Sequence, residues 1–448
     1  MPPHYIQPGI GLLDVSPAGS QSTMTQRTEM GLGGVPGFVK FWWAASVSEF
    51  GTYVTSVAMA VLIKYQLHGT ASDQGWVTAA RWLPYAVFGL LAGVLIDRVR
   101  RRPVQVTADL ARAVLLTAIS VFALTGDLSI AALAAMMAIF GLASLAGDAA
   151  SLAFLPRIVP ADHLTRAHAR IDQSSALAQT SGPALAGGIL FLIGAPLALL
   201  VDGASYLVSG LVLLTIRVHE PLPPRASRRR IRTEMAEGLR WIYRHPTLAP
   251  LALSGHFWFL CWGISGVVLP FFVLDTARLG TAALDTLALG IAGSLAGIGA
   301  LIGSLFAFRL GLRFGAGRVV VICRAVMPVA YLTFALASPT WPGRVLIGLG
   351  HLLIGLAMGA ENANEMGYQQ TVTPDALQGR MNATKRSINR AVLVIAAPAG
   401  GMLAVTLGYR PTMVIIGAGF ATGALALGLS PFWSARLEPT SVSAEPVK

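Results

Sequence analysis

Apolar residues in this chain fall into long blocks, with the polar residues gathered in short stretches between them. A helix needs about 20 such residues to cross the hydrocarbon of a bilayer. Twelve blocks meet that length, near residues 39–63, 76–97, 104–125, 129–152, 174–193, 196–216, 249–274, 285–308, 319–338, 344–367, 388–407 and 412–433. In lipid every backbone polar group must be satisfied internally, so runs of this length are helical. The pattern predicts an all-α membrane protein with twelve transmembrane helices, and an even number of crossings places both termini on one side.

Basic residues then set the orientation. Lys64, Arg278, Arg344 and Arg410 fall at one set of connections and Arg81 inside a span, whereas the remaining Lys and Arg are assigned to the other set. By the positive-inside rule that other set is cytoplasmic, which predicts a multi-pass plasma-membrane protein with both termini inside. Residues 1–37 are rich in Gly, Ser, Thr and Pro and lack the layout of a signal peptide, so they read as a disordered cytoplasmic tail. Residues 38–217 and 248–434 each hold six spans, and 435–448 form a second tail. Between the halves, residues 218–247 place Ile231, Met235, Leu239 and Ile242 on one helical face among arginines. Such a helix lies on the anionic inner leaflet.

The halves repeat each other. GDAASLAFLPRIVPADHLTRA, from Gly147, aligns with AENANEMGYQQTVTPDALQGR, from Ala360, at an offset of 213 that also places Gly187 on Gly400 and Gly188 on Gly401. The two segments follow the fourth and tenth spans, as parallel repeats of a transporter would. Two pseudo-symmetric six-helix bundles are therefore expected, with Asp148 equivalent to Glu361.

Composition narrows the function. With 54% hydrophobic and 12% charged residues the chain is far from a soluble protein, and its net charge of +12 follows from topology, so no nucleic-acid partner is needed. Cys261 and Cys323 both lie in spans, which suggests neither a disulfide framework nor a metal site. Phosphate-binding loops, zinc-protease motifs and nucleophile elbows are absent from the sequence, so an enzyme or a cofactor-dependent activity is not expected.

Ionisable groups inside spans are the candidates for chemistry, because lipid tolerates them only beside partners or water. Glu49 sits in the first span, one turn from Tyr53; it either works in transport or pairs with Arg81 or Arg112. Glu361 and Glu365 share a face of the tenth span, where either mutual repulsion tunes one of them for proton binding or both are solvated at a helix end. Asp202, with Ser205 and Tyr206, faces a cavity or hydrogen-bonds a neighbouring helix. Asp109 and Arg112 pair at the start of the third span. His256 and His351 read as packing residues, and Trp258 and Trp262 share a face that packs or lines a pocket.

The stretch GLLAGVLIDRVRRRP, Gly89 to Pro103, ends the second span on Gly93, Asp97, Arg98, Arg101 and Arg102. This G-x-x-x-D-R-x-x-R-R pattern resembles the loop signature of the major facilitator superfamily, with Arg100 where the family has a glycine. The resemblance implies that Asp97 meets the positive N-terminal end of the eleventh helix, and that the loop gates the inner side. SGPALAGG, with Gly182, Pro183, Gly187 and Gly188, reads as a kinked, closely packed stretch and is similar to the family's antiporter signature, with Ala186 in place of its first paired glycine. LIDRVRRRP, DLARA, GPALAGG, EGLRWIYRHP and LQGRMNA together look most like the third group of drug:proton antiporters, which includes macrolide and enterobactin exporters. The resemblance implies a monomer in the lipid bilayer that exchanges protons for an amphipathic small-molecule substrate by alternating access. An uncoupled lipid or solute facilitator of the same fold, and more remotely a membrane enzyme or sensor, are the rival readings.

Overall fold

The computed structural model describes residue 35 and residues 37–96, 98–218, 220 and 228–436. Most of the N-terminal tail, Asp97 and the C-terminal tail from 437 lie outside the described residues, as do the side chains of Ile231 and Met235.

Every regular element among the described residues is helical. The first half contains α1 (Phe38–Val61), α2 (Ala71–Ile96), α3 (Arg101–Thr125), α4 (Ile130–Ile158), and α5 and α6, which are residues 164–193 and 195–215 of one long helix broken at Gly194. α7 (Arg228–Arg244) is the linker helix. The second half holds α8 (Leu248–Ala277), α9 (Ala282–Phe314), α10 (Ala316–Leu336), α11 (Trp341–Val372), α12 (Asp375–Leu407) and α13 (Tyr409–Gly428). Ten helices among the described residues are long and apolar enough to cross a membrane; one of these contains both α5 and α6, and α2 completes twelve. Large apolar side chains such as Leu192, Leu305, Phe308 and Ile395 point outward in numbers that suit lipid and not water.

The break at Gly194 has φ 77° and ψ 169°, and the turn between α12 and α13 repeats it at Gly408 with φ 85° and ψ 167°. Only glycine enters that region without strain. Two equivalent loops in two halves thus solve the same turn in the same way. Ser129, Thr281 and Thr340 cap α4, α9 and α11 by accepting backbone N–H groups of the first turn.

α1–α6 and α8–α13 form the two bundles, which meet along α2 with α12 and α5 with α9. Both seams are made by glycine. A Cβ on Gly75 would lie 2.6 Å from the Ala397 carbonyl, and one on Gly187 would lie 2.9 Å from Gly290 Cα. Lipid supplies no hydrophobic drive for helix association, so this backbone proximity is the source of the packing energy. The Gly182–Gly188 stretch, with Pro183 inside the helix, therefore lies in a seam, and the residue with non-helical dihedrals in this long helix is Gly194. Gly182 lies against the Tyr53 ring, Pro183 against Gly293, and Gly188 faces open space.

One end of the molecule carries the arginine-rich connections and is called here the basic end. At the far end, α1 continues into a wide turn, Leu62–Gln66, with a Leu67 N–H bond to the Leu62 carbonyl. This turn brings Lys64 to Asp275 at 2.6 Å and the Tyr65 hydroxyl to Asp285 at 3.3 Å, joining the bundles there. Arg344 and Arg410 donate to the last carbonyls of α8 and to Ala337 after α10, which accounts for arginines on this side.

Candidate functional site

Three adjoining cavities of about 440, 660 and 400 Å³ all touch Arg390 of α12; the first and third are lined from both bundles and the second from the second bundle alone. The first is lined by Glu49, Arg81, Tyr85, Asp109, Arg112, Asp148 and Tyr206 of the first bundle. Arg390 crosses from the second bundle, lies 4.1 Å from the Tyr85 ring centroid and comes within 3.6 Å of Asp148 Oδ2. The Tyr85 hydroxyl donates to the same Asp148 oxygen at 2.8 Å.

Glu49 takes no ion pair with either expected partner. Arg112 is bound to Asp109 on its own helix and lies 4.3 Å from the Tyr206 ring, while Arg81 lies over Trp82 and Phe140. Glu49 makes no hydrogen bond or ion pair among the described residues and lines the cavity. Asp109 is buried, accepts from Ser209 at 2.7 Å as well as from Arg112, and stays within the first bundle. Asp202 is sealed, not cavity-facing. Thr55 and Ser205 hydroxyls donate to its two oxygens, Gly51 lies directly against them, and Asp202 is fully buried.

The tenth span departs furthest from expectation. Glu361 and Glu365 are neither helix-end solvated nor left to repel each other, because Arg324 of α10 stands between them. Its Nε donates to Glu361 Oε1 at 2.7 Å, Nη2 to Glu365 Oε2 at 2.9 Å and Nη1 to Ser254 at 2.5 Å. Lys385 also donates to Glu365. Counting basic residues by side places Arg324 with the cytoplasmic set, yet it lies within the 319–338 span and its side chain is 3% exposed. Charge counting by loop fails here because the guanidinium is neutralised by groups distant in sequence.

The second cavity is lined by α8, α11 and α12, with Arg324 of α10. Trp258 and Trp262 stack within it, 5.2 Å apart and 15° from parallel. Tyr53 packs on Gly182 and is not among the residues lining these three cavities. His256 bridges the Tyr243 hydroxyl at 2.7 Å and Asn389 at 2.6 Å, and His351 binds the Ile347 carbonyl at 2.9 Å under Phe334. Of the loop signature, Arg102 donates to the Leu213 and Leu214 carbonyls, so it caps α6 within its own bundle and does not reach the second half. Arg98 is exposed, Arg101 is buried, and both have interaction partners; Gly93 continues α2. Arg324, Lys385, Arg386, Arg390 and Tyr85 are the site residues that sequence reasoning missed. Asn382, Arg386 and Arg390, four apart, were the available signal, since that spacing lines one helix face.

Two pseudo-symmetric six-helix bundles around a central set of cavities define a polytopic membrane transporter. The chain belongs to the Major Facilitator Superfamily, whose model matches residues 41–389. It is similar to the MFS-type transporter y4rN of Sinorhizobium fredii, 29% identical over 82% of this chain and 89% of that one. It is also similar to the multidrug efflux pump Tap of Mycolicibacterium fortuitum, 26% identical over 84% and 92%. Its fold is that of the nucleoside transporter NupG, with a TM-score of 0.73 over 87% of this chain and 98% of that chain at 13% identity. These relatives are transporters and not enzymes.

Proposed function

We propose that this protein exports amphipathic small molecules from the cell in exchange for protons, as a plasma-membrane monomer with its basic end and both termini in the cytoplasm. The observation that carries the reading is the Arg390–Asp148 contact across the cavity, beside a Glu49 that has no partner among the described residues. A carboxylate that takes a proton loses its hold on a guanidinium, so protonation of Asp148 would free the bundles to rock past each other. Glu49 would receive or pass on that proton. Lys64–Asp275 and Tyr65–Asp285 would keep the outer side shut while the cavities open inward. In this scheme the seams α2–α12 and α5–α9 are the rocking surfaces, and Asp109, Asp202, Glu361 and Glu365 hold the two bundles in shape.

Similarity to Tap and, at 22% identity over 53% of this chain, to macrolide efflux protein A of Streptococcus pyogenes supports an export direction and a drug-like cargo. The energy is adequate: each charge moved down the potential contributes about 2.3 kcal/mol per 100 mV. Everted vesicles carrying the protein should accumulate a fluorescent amphiphile on energisation and release it on adding an uncoupler. Uptake whose rate and extent are unchanged by collapse of both the pH gradient and the potential would overturn antiport, and uptake that only equilibrates would leave a facilitator.

A further inference from the structure

We infer that the second-bundle cavity, on the export reading above, takes the acidic end of an aromatic amphiphile, with Arg386 binding the anionic group and the Trp258–Trp262 stack binding the ring. Most polar groups on the cavity wall are already satisfied. Arg324 and Lys385 are neutralised by Glu361 and Glu365, Gln369 donates to Glu365, and Arg390 is answered by Asp148. Asn389 Oδ1 is taken by His256. What remains is Arg386, an exposed guanidinium without a partner among the described residues, on the walls of both the second and third cavities.

The other unsatisfied groups favour the same ligand. Asn382 and the Asn389 amide nitrogen lie on the same helix as Arg386 and also offer donors. The Trp258 indole N–H is buried and has no acceptor among the described residues. Against these donors stands one buried acceptor, Glu361 Oε2. A cavity whose free groups are mainly donors, and whose spare charge is positive, selects for an acceptor-rich anion.

The ring has its own surface. Trp258 is held edge-on by Phe259 and Phe420, which fixes the stack, and Trp262 ends it with no further ring contact among the described residues. A planar group that continues this stack gains both apolar burial and offset-ring contact. The His256–Asn389 contact sets the register of α8 against α12 and puts Arg386 about five residues, roughly 8 Å, nearer the basic end than Trp258, so the anion position lies on the basic side of the ring position.

The test is equilibrium dialysis of the purified protein in an uncharged maltoside detergent against three isosteres: naphthalene-2-carboxylate, naphthalen-2-ylmethanol and naphthalen-2-ylmethylammonium. The carboxylate should bind roughly tenfold tighter than the alcohol, the scale of one charge-assisted hydrogen bond, and tighter still than the ammonium. Arg386→Gln should erase that preference, Arg386→Lys should keep part of it, and Trp262→Ala should weaken all three alike. Equal binding, a preference for the ammonium, or a preference that survives Arg386→Gln would overturn the inference. Displacement of the carboxylate by phosphatidylglycerol in nanodiscs, but not by phosphatidylcholine, would also overturn it by making the site a lipid-headgroup site. Dialysis needs no gradient, so lost selectivity with intact uncoupler-sensitive export sinks this inference alone, while selectivity without export sinks only the transport reading.

Discussion

Arg390 of α12 approaches Asp148 of α4 to 3.6 Å, tying one bundle to the other in the middle of the cavity. Both side chains keep partial access to the cavity, so the pair is worth about 1 kcal/mol or less, enough to bias a conformational equilibrium without freezing it. Asp148→Asn and Arg390→Gln should each slow uncoupler-sensitive export. The double variant should be no slower than the worse single one, since both changes break the same contact. Additive losses in a double-mutant cycle would show that the two residues act separately.

Arg324 carries a different kind of weight. Buried to 3% exposure, it is shared by two carboxylates and Ser254. Arg324→Met strands both acids and should destabilise the protein by about 3–5 kcal/mol, read as a lower melting temperature in detergent. Glu365→Gln should cost less, because Arg324 keeps Glu361. An Arg324→Met protein that melts like the parent would refute this account.

Two adjacent glycines should behave oppositely. A Cβ on Gly187 meets the Gly290 backbone at 2.9 Å, whereas one on Gly188 meets nothing within 4 Å. Gly187→Ala should destabilise by about 1–3 kcal/mol by forcing α5 from α9. Gly188→Ala should be neutral or gain up to about 1 kcal/mol of helix propensity. Thermal denaturation of the pair decides, and equal shifts would count against the seam.

Loss of the far-end contact should open that side. With Cys261 and Cys323 replaced by alanine and a single reporter cysteine at Ser144 in the cavity wall, Lys64→Met should raise labelling by an impermeant maleimide added from the far side. Labelling unchanged from the Lys64 protein would mean that Lys64–Asp275 does not hold the closure.

At the junction of α7 and α8, outside the spans, His245 Nδ1 accepts the backbone N–H groups of Thr247 and Leu248 at 3.3 Å. Partial burial holds this imidazole below its ordinary value of 6.5. The neutral form is the one that caps α8, so its contribution is present above 6.5 and is lost as the pH falls through the lowered value. Amide exchange at Thr247 and Leu248 should accelerate on acidification once corrected for intrinsic rates. His245→Asn, which keeps an acceptor, should flatten that dependence.

The sequence by itself determined the helical class, the twelve crossings, the equivalence of the halves and the linker helix. Those properties depend on the length of apolar runs and on local spacing, and Gly194 and Gly408 repeat one turn because the same local geometry recurs. It also picked out Glu49, Asp148 and Glu361 as ionisable groups in spans. Only the tertiary structure decided which of them are free. Arg324 reaches Glu361 from 37 positions away, and Arg390 reaches Asp148 from the opposite bundle. Whether a buried carboxylate is neutralised depends on distances between helices remote in sequence, and no periodicity along one helix encodes them.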